Sequence, residues 1–344
     1  MNHSERKHVI VTGGAGYIGS TLTELLLSRG HEVTVLDRFF FGNTLTDLQK
    51  NPNLHLVRHD IRTVPPSIFR GVEAVCDLAA LSNDPAGELD PEGTLEINHR
   101  GRARICKLAK EAGASQYVLA SSCSIYGYQD EVANEESPIK PLTTYAEANA
   151  LAEKSVIAES TGTFVVTALR QSTAYGLSRR MRFDLAINGM TLALYKQGSV
   201  RIMRDGTQWR PMVHVRDTSR AFLTVLESEP GKVNEEVFNI GSEEQNLQVL
   251  PLARRLSQSV GLPFKEDWYG DPDNRSYRVS FKKVRERLHY STKLTPEDGA
   301  REIFKALKDG ALIDGPRTRT VDWYKSLLEW HKTIKEVEMN GTVL

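Results

Sequence analysis

Short apolar runs alternate with amphipathic stretches along the first half of the chain. Six such runs lie between turn-forming residues: HVIVTGG, EVTVLD, LHLVRHD, AVCDLAA, QYVLASS and FVVTALR. Helix-length patterns such as IGSTLTELLLSRG and NHRGRARICKLAKEAGA separate several of them, each with a glycine placed to stop the helix. Strands that are apolar along their length and alternate with helices predict a parallel sheet covered on both faces. We therefore expect an α/β fold with right-handed crossovers.

The alternation becomes irregular after about residue 175. Segments such as SRRMRFD, RDGTQWRPMVHVRD, FNIGSEEQ and DPDNRSYRVS mix arginine, glycine, asparagine and aromatic residues between short elements, which is typical of a lobe around a polar ligand. The last segment, VDWYKSLLEWHKTIKEVEM, has helical spacing. We expect a sheet domain over residues 1–175, to which some later segments return. A smaller mixed α/β substrate lobe is expected mainly over 176–315, and a helical tail over 316–344.

Composition narrows the partners and the compartment. The 344 residues include 44 basic and 44 acidic side chains, so no net charge attracts nucleic acid or an anionic membrane. No apolar stretch approaches the roughly 18 residues of a membrane-spanning helix, and no signal-peptide core is present. The three cysteines form no zinc-binding spacing and are expected to be reduced thiols. We expect a cytoplasmic protein that binds neither nucleic acid nor membranes and holds no metal.

A glycine-rich loop follows the first predicted strand and opens a helix. Gly13, Gly16 and Gly19 recur at three-residue intervals, a pattern that lets a pyrophosphate approach main-chain N–H groups at a helix N-terminus. Asp37 ends the next strand, where its carboxylate can accept hydrogen bonds from the adenosine ribose and repel a 2′-phosphate. NAD is thus favoured over NADP, although Arg38 follows directly. The candidate cofactor-binding residues of this region are Gly13, Gly16, Tyr17, Ile18, Gly19, Asp37, Arg38, Asp60, Ile61, Leu78, Ala79 and Ala80.

A serine and a tyrosine supply the candidate chemistry. Ser122 and Ser124, in LASSCSIYGYQDE, follow the fifth strand, and ligands bind at the carboxyl ends of parallel strands. Tyr145 opens a helix 23 residues after Ser122. A hydroxyl and a phenol brought together there can move a proton on a sugar hydroxyl or carbonyl while hydride moves to or from a nicotinamide.

These motifs resemble those of the extended short-chain dehydrogenase/reductase family, which contains NAD-dependent nucleotide-sugar epimerases, dehydratases and reductases. The resemblance spans roughly residues 7–310 and includes TGGAGYIGS, DLAALSNDP, EINHRGRARI, SSCSIYG, YAEANALAEK, LRQSTAYG, RPMVHVRD and FNIGS. It implies a Rossmann-type doubly wound sheet carrying NAD, a nucleotide-sugar in the C-terminal lobe, and Ser122 with Tyr145 at the reacting carbon. Asn98 matches a family asparagine that is usually a structural and cofactor-side contact. A homodimer is expected, because family members often dimerise through two helices per subunit.

Asn149 departs from the family pattern. Related enzymes carry a lysine four residues after the tyrosine, which binds the nicotinamide ribose and lowers the pKa of the tyrosine. Asn149 can still hydrogen-bond a ribose hydroxyl but has no charge, and free tyrosine titrates near pH 10. Lys154 lies on the far side of the predicted helix. The positive nicotinamide ring, or a basic residue from elsewhere, is left to activate Tyr145, and Asn149→Lys is expected to raise activity or lower the pH optimum.

The residues after Ser122 narrow the reaction. Family dehydratases carry an acidic pair where this chain has Cys123 and Ser124, and family decarboxylases usually carry a glutamate at the position of Ser124. Both reactions are therefore disfavoured. Cys123 is expected to be buried packing. What remains is epimerisation through transient oxidation of one carbon, or reduction of a keto-sugar.

Several residues match substrate-binding positions of the family. A nucleotide-sugar carries a diphosphate, whose oxygens fit the guanidinium fork of arginine. By resemblance, Arg210 is the diphosphate-binding arginine, Arg275 or Arg278 a second, and Asn188 lies in a region that caps the same phosphates. Thr173 stands where many family epimerases have a substrate-binding asparagine.

Three further groups of residues each allow two interpretations. Ser82, Asn83 and Asp84 follow the fourth strand and either face the sugar or stabilise their own turn. In SRRMRFD, a salt-bridged surface run is favoured over substrate contact by one arginine among Arg179, Arg180 and Arg182. His214 is expected to be packed rather than catalytic.

The leading hypothesis is an NAD-dependent nucleotide-sugar epimerase that resembles UDP-hexose 4-epimerases. One alternative is a nucleotide-sugar 4-keto reductase, which would release NAD at each turnover. The other is a catalytically weakened protein that binds NAD or a nucleotide-sugar, because Asn149 replaces the family lysine. The nucleotide is left open among UDP-, GDP-, CDP- and dTDP-linked sugars.

Overall fold

The computed structural model describes residues 6–271 and 276–343. Its strands, in chain order, are β1 (His8–Thr12), β2 (Glu32–Asp37), β3 (Leu54–Arg58), β4 (Ala74–Asp77), β5 (Gln116–Ser122), β6 (Val132–Ala133), β7 (Val165–Gln171), β8 (Thr173–Tyr175), β9 (Val200–Met203), β10 (Trp209–His214), β11 (Glu236–Ile240), β12 (Asn246–Gln248), β13 (Glu266–Tyr269) and β14 (Arg278–Val279). Its α-helices are α1 (Tyr17–Ser28), α2 (Asp84–Gly87), α3 (Pro91–Leu95), α4 (Arg102–Glu111), α5 (Thr144–Ile157), α6 (Ala186–Gln197), α7 (Val215–Leu226), α8 (Pro230–Val233), α9 (Val249–Ser259), α10 (Lys282–Leu288), α11 (Pro296–Lys308) and α12 (Thr320–Val337).

Seven strands form one parallel sheet in the order β11-β7-β5-β4-β1-β2-β3. The six predicted apolar runs are its first six strands in chain order, so the predicted doubly wound α/β fold is confirmed. Alternate residues of each strand enter different cores. Val9 and Val11 pack with α1 and α7 on one face, whereas Ile10 packs with α4 and α5 on the other. Burial on both faces explains why these strands are apolar along their length.

A smaller lobe lies beside the sheet. It contains the three-stranded sheet β12-β10-β8 and the pair β13-β9, with α6, α9 and α11 packed on a separate core that includes Ile187, Met212 and Leu252. The first three residues of FNIGS, which the sequence places among the irregular segments of the lobe, instead end β11 at the edge of the main sheet. This is a return of a later segment to the sheet domain. The division of the chain at residues 175 and 315 stays a prediction.

Two helical features bear on the site. Residues Glu96–Gly101 form a π-helical segment between α3 and α4, so the long helix before β5 is wider in its middle. The tail forms α12 as expected. Within residues 6–271 and 276–343, no helix has the length and apolar character that a membrane crossing requires.

Candidate active site

A cleft of about 490 Å³ runs along the carboxyl ends of the central strands and under the smaller lobe. Gly13 follows β1, Asp37 ends β2, Leu78 follows β4, and Ser122 ends β5, and all four line the cleft. This edge is where open parallel sheets bind their ligands, because the loops after neighbouring strands diverge there. Most of the predicted site residues therefore come together. Those that line the cleft are Gly13, Gly16, Tyr17, Ile18, Gly19, Asp37, Arg38, Asp60, Ile61, Leu78, Ala79, Ala80, Ser82, Asn83, Ser122, Ser124, Tyr145, Thr173 and Arg210.

The glycine loop leaves no room for side chains. A Cβ on Gly19 would lie 2.1 Å from the carbonyl oxygen of Gly13, and a Cβ on Gly13 would lie 2.9 Å from the backbone nitrogen of Ala79. The loop leads into α1 at Tyr17, so the N-terminus of this helix lies at the cleft wall beside Gly13 and Gly16, which carry no side chains. This cradle fits a pyrophosphate.

Asp37 closes the adenosine end of the cradle. Its carboxylate accepts hydrogen bonds from the backbone N–H groups of Ala15 (3.0 Å) and Phe39 (2.7 Å). Burial raises the pKa of this carboxyl, while the backbone donors oppose that rise. The side chain is thus fixed at the end of β2, where a ribose hydroxyl can reach it.

Arg38 is bound to an acidic partner. Its guanidinium donates to Asp60 (2.9 Å) and lies over the ring of Phe40, 4.4 Å from the centroid. Arg62 binds Asp60 as well (2.7 Å). Burial opposes ionisation of Asp60, but its hydrogen bonds and charge pairing with Arg62 and Arg38 lower its pKa to about 2. Because Arg38 is paired with this carboxylate, it is poorly placed to favour a 2′-phosphate.

Ser122 and Ser124 hold the turn that follows β5. The Ser122 hydroxyl accepts a hydrogen bond from the backbone nitrogen of Ser124 (3.1 Å) and caps the short helical turn Cys123–Tyr126. The side chain of Cys123 points the other way: it is fully buried, and its thiol lies 3.3 Å from the carbonyl oxygen of Arg170. Burial raises the pKa of this thiol far above its ordinary value. Cys123 is buried packing, as predicted.

Tyr145 enters the cleft from the first turn of α5. Thr143 caps this helix by accepting from the backbone nitrogen of Ala146 (3.2 Å), and its hydroxyl donates to Asp84 (2.6 Å). Gly87 of α2 packs directly beneath, since a Cβ there would lie 3.0 Å from the Cβ of Tyr145. These contacts between α2 and α5 fix where the phenol stands.

The electrostatic surroundings of Tyr145 are mixed. Burial raises the pKa of the phenol, and the Asp84 carboxylate adds to that rise. The Arg102 guanidinium opposes it most strongly, and the Ser122 hydroxyl and the Arg182 guanidinium oppose it as well. Two cations and a hydroxyl therefore favour the phenolate against the cost of burial.

Asn149 does not line the cleft, contrary to the ribose contact expected for it. Its side chain is 1% exposed, with Oδ1 accepting from Arg102 (2.9 Å) and Nδ2 donating to the carbonyl oxygen of Tyr145 (2.8 Å). Both ends of the amide are thus used within the protein. The side chain of Arg102 lines the cleft at this place instead, and Arg102 was not among the predicted site residues.

The predicted contacts of Asn188 and Arg278 are corrected, whereas Asn98 makes the structural contact that the family resemblance implies. The Asn98 amide forms two hydrogen bonds with the backbone of Leu81 (2.8 and 3.0 Å), so it braces a cleft-lining loop from outside. Asn188 is fully buried and bonds to Gly176, Tyr17 and Arg182, so it does not cap a phosphate. Arg278 donates to the carbonyl oxygen of Asp130 and stacks over Trp209, outside the cleft lining. Arg275 lies outside the described residues.

Ser82, Asn83, Thr173 and Arg210 line the cleft together with Tyr277. Asn83 adopts a φ of 119°. Its Oδ1 accepts from Ala86 of its own turn (2.9 Å), and its Nδ2 donates to the distant Asp184 (2.9 Å). This turn therefore stabilises its own backbone and also faces the cleft.

The arginines of SRRMRFD behave differently from one another. Arg179 forms surface ion pairs with Glu24 and Asp47, as expected. Arg180 and Arg182 are 4% and 6% exposed and line the cleft, so the prediction of a surface position is wrong for these two. Arg182 is paired with Asp184 (2.6 Å) and bonds to Ser82 (3.1 Å). His214 is fully buried against Glu302 (2.7 Å), as predicted.

Sequence reasoning also missed an aromatic rim. Phe39, Phe40 and Phe41, after β2, line the cleft beside Tyr324 of α12, whose ring lies 5.8 Å from Phe40 and 5.5 Å from Phe41 between centroids. The indole of Trp323 donates to the carbonyl oxygen of Phe40 (2.6 Å). The sequence signal for this rim was the three consecutive phenylalanines that follow Asp37 and Arg38. Their partner helix, α12, lies nearly 300 residues away in the chain.

Comparison with known proteins assigns the family. The model of the NAD dependent epimerase/dehydratase family matches residues 9–241, more than half of the chain. The chain belongs to this family. Its fold and its cleft agree with that membership, so the expected resemblance to extended short-chain dehydrogenases/reductases is confirmed, as are an enzyme and NAD as its cofactor.

Individual family members are distant. UDP-glucuronic acid decarboxylase 1 from Arabidopsis thaliana is 28% identical over 310 residues, covering 86% of this chain and 68% of that protein. UDP-glucuronate 4-epimerase from Thermodesulfobacterium geofontis is 25% identical over 343 residues, covering 95% of this chain and 99% of that protein. The solved structure of MoeE5 in complex with UDP-glucuronic acid and NAD is 26% identical with a TM-score of 0.77, covering 88% of this chain and 99% of that chain. Relatives at similar distance thus catalyse different reactions, and the residues of this cleft must decide between them.

Proposed function

We propose that this family member is a nucleotide-sugar epimerase that inverts one carbon by transient oxidation and re-reduction, in the manner of a UDP-hexose 4-epimerase. The observation that carries the proposal is the Ser122–Tyr145 pair in a cleft whose other end is the glycine cradle, with no carboxylic acid at positions 123 and 124. A hydroxyl and a phenol are sufficient for a reaction in which only a proton and a hydride leave and return.

NAD would be held by residues along the main sheet. The backbone of Gly13–Gly19 suits its pyrophosphate, Asp37 suits its adenosine ribose, and Asp60 with Ile61 lie beside the expected adenine site. When bound, NAD supplies a hydride acceptor and donor at the sugar carbon. The aromatic rim of Phe39–Phe41 and Tyr324 borders this end of the cleft.

Tyr145 moves the proton in this proposal. As phenolate it accepts the proton of the sugar hydroxyl, and it returns that proton to the oxygen after the carbon has been inverted. Ser122 stands beside the phenol and hydrogen-bonds the same sugar oxygen, which orients the substrate.

Dehydration and decarboxylation fit this cleft less well. Cys123 is buried with a thiol whose pKa lies far above its ordinary value, and Ser124 is not acidic, so neither replaces a carboxylic acid. The carboxylates near the Tyr145 end are already engaged. Asp84 accepts from Thr143, and Asp184 is paired with Arg182. These contacts support a reaction that expels neither water nor carbon dioxide.

The substrate would occupy the end of the cleft formed by the smaller lobe. Arg210 lines this end and fits a diphosphate, since a guanidinium presents several donors in one plane. MoeE5 holds UDP-glucuronic acid, and the two curated relatives carry the names of UDP-glucuronate enzymes. We therefore place UDP-linked sugars first among the candidates.

The test is a panel of UDP-, GDP-, CDP- and dTDP-linked hexoses and hexuronic acids, incubated with enzyme and NAD and followed by proton NMR. We expect one nucleotide-sugar to approach equilibrium with a single-carbon epimer, without net change in NADH absorbance. Tyr145→Phe should lower that rate by about a hundredfold or more. Stoichiometric oxidation of added NADH with a keto-sugar would instead identify a reductase, and binding of both ligands without turnover would identify a silent binding protein.

A further inference from the structure

Asn149 is neutral, so a positive charge near Tyr145 must come from another side chain. Arg102 opens α4, directly after the π-helical segment Glu96–Gly101, and its side chain is 1% exposed yet lines the cleft. π-Helical segments often reposition functional side chains. Arg102 and Tyr145 thus come from different helices to the same part of the cleft wall.

The guanidinium is fixed by partners around the active site. One Nη donates to Oδ1 of Asn149 (2.9 Å), and the other donates to the carbonyl oxygen of Ala120 (2.7 Å), two residues before Ser122 on β5. Asn149 in turn donates to the carbonyl oxygen of Tyr145 (2.8 Å). A continuous chain of hydrogen bonds therefore links Arg102 to the strand that carries Ser122 and to the helix that carries Tyr145.

The Nε nitrogen of this guanidinium is in an unusual position. No described residue accepts a hydrogen bond from Nε of Arg102, which lies 4.0 Å from the buried carboxylate of Asp77. Asp77 already accepts hydrogen bonds from Thr12 and Tyr117. Arg102 is thus a buried cation paired with Asp77 at the limit of ion-pair distance and with an unsatisfied Nε, and an apolar side chain would serve packing better. Such an arrangement is typical of a functional site.

We propose that Arg102 supplies the positive charge that prepares Tyr145 to accept the substrate proton, with Asn149 as the residue that positions it. This rests on the proposed function of Tyr145 as the proton acceptor. The arrangement exchanges the roles of two helices: the charge that related enzymes carry on the tyrosine helix comes here from α4, and the tyrosine helix carries a neutral amide that binds it. Asn149 is then a part of the active site and not a sign of lost chemistry.

Electrostatics around the phenol agree with this arrangement. The groups that act on Tyr145 are Arg102 on α4, Asp84 on α2, Ser122 on β5 and Arg182 before α6, and Arg102 exerts the strongest influence toward the phenolate. A nearby opposite charge changes a pKa by about one to three units. Loss of Arg102 raises the pKa of the phenol, so less phenolate is present at neutral pH and the acidic limb of the rate profile moves to higher pH.

The structure also revises the expected effect of Asn149→Lys. An ammonium group at this position would replace the Oδ1 acceptor of Arg102 and lie against its guanidinium, with both groups shielded from water. We expect the single variant to lose thermal stability, whereas the double variant Arg102→Met with Asn149→Lys returns one cation to the site.

The experiment titrates Tyr145 directly. The protein is labelled with ¹³Cζ-tyrosine, the Tyr145 resonance is assigned with Tyr145→Phe, and the pKa is read from the chemical shift against pH. The variants are Arg102→Met, Arg102→Gln, Arg102→Lys and the double variant, with Arg100→Met as a matched control that removes an exposed arginine of the adjoining π-helical segment. Arg102→Gln keeps a hydrogen-bond donor for Asn149, removes the charge and adds no carboxylate, so it decides the matter if Arg102→Met does not fold.

We expect Arg102→Met and Arg102→Gln each to raise the pKa of Tyr145 by about one unit or more. Arg102→Lys and the double variant should return it toward the wild-type value, and Arg100→Met should leave it unchanged. With an active substrate, the acidic limb of kcat/KM should move by the same amount. An unchanged Tyr145 pKa in both neutralising variants would overturn the proposal. The titration needs no turnover, so this failure is distinguishable from failure of the epimerase proposal, which the substrate panel reports.

Discussion

At the scale of single residues, the position of Tyr145 depends on a glycine in a different helix. Gly87 has no side chain at the point where α2 meets the start of α5, and a Cβ there would lie 3.0 Å from Cβ and 3.2 Å from the backbone nitrogen of Tyr145. The first turn of α5 would have to move by a few tenths of an ångström to admit it. The catalytic geometry is therefore sensitive to a methyl group that touches no ligand.

We expect Gly87→Ala to lower kcat about tenfold or more, because small displacements of a reacting group are costly to rate. The KM for the nucleotide-sugar should change less, since the diphosphate end of the cleft is remote from this contact. Gly162→Ala is the matched control, because no atom lies within 4 Å of its added Cβ. Steady-state kinetics of the two variants measure the effect. Equal kcat values in both would show that the packing of α2 does not position Tyr145.

Residues beside strand ends could be predicted from sequence, because a parallel sheet brings them to one edge whatever the rest of the chain does. Buried amides could not. Asn98, Asn149 and Asn188 each carry a donor and an acceptor that bond protein groups as readily as a ligand. Arg102 was missed for a related reason: its partner Asn149 lies 47 residues away, and no local pattern announces the pair.

At the scale of elements, α12 links the end of the chain to the cofactor side of the cleft. Trp323 is 8% exposed and donates to Phe40, while Tyr324 lines the cleft beside Phe40 and Phe41. The local pattern predicted an amphipathic helix, but it did not say where the helix docks. That depends on surfaces far apart in sequence, as with the return of β11 to the main sheet.

We expect Trp323→Ala to weaken NAD binding about tenfold, or about 1.4 kcal/mol, because the segment Phe39–Phe41 loses the hydrogen bond and packing that fix it beside Asp37. Isothermal titration calorimetry with NAD measures this change. Leu328→Ala, on an exposed face of the same helix, is the control and should bind NAD normally. If the two variants bind NAD equally well, α12 has no part in holding the aromatic rim.

At the scale of the whole molecule, the order of the seven parallel strands places the glycine cradle and the Ser122–Tyr145 pair along one cleft. The alternation of strands and helices was sufficient to predict this sheet, because burial on both faces leaves a strong apolar signal in each strand. The smaller lobe was predicted only in outline. Its short strands pair across β8, β10 and β12, and such pairings between distant short segments leave little trace in the sequence.

The proposed reaction oxidises one carbon of a nucleotide-sugar and reduces it again within this cleft. The most direct test uses UDP-glucose and UDP-glucuronic acid deuterated at carbon 4, with NMR of the products. We expect inversion at carbon 4, with the deuterium retained on that carbon and no accumulation of NADH. Loss of the deuterium to solvent, release of carbon dioxide or water, or stoichiometric consumption of NADH would contradict it.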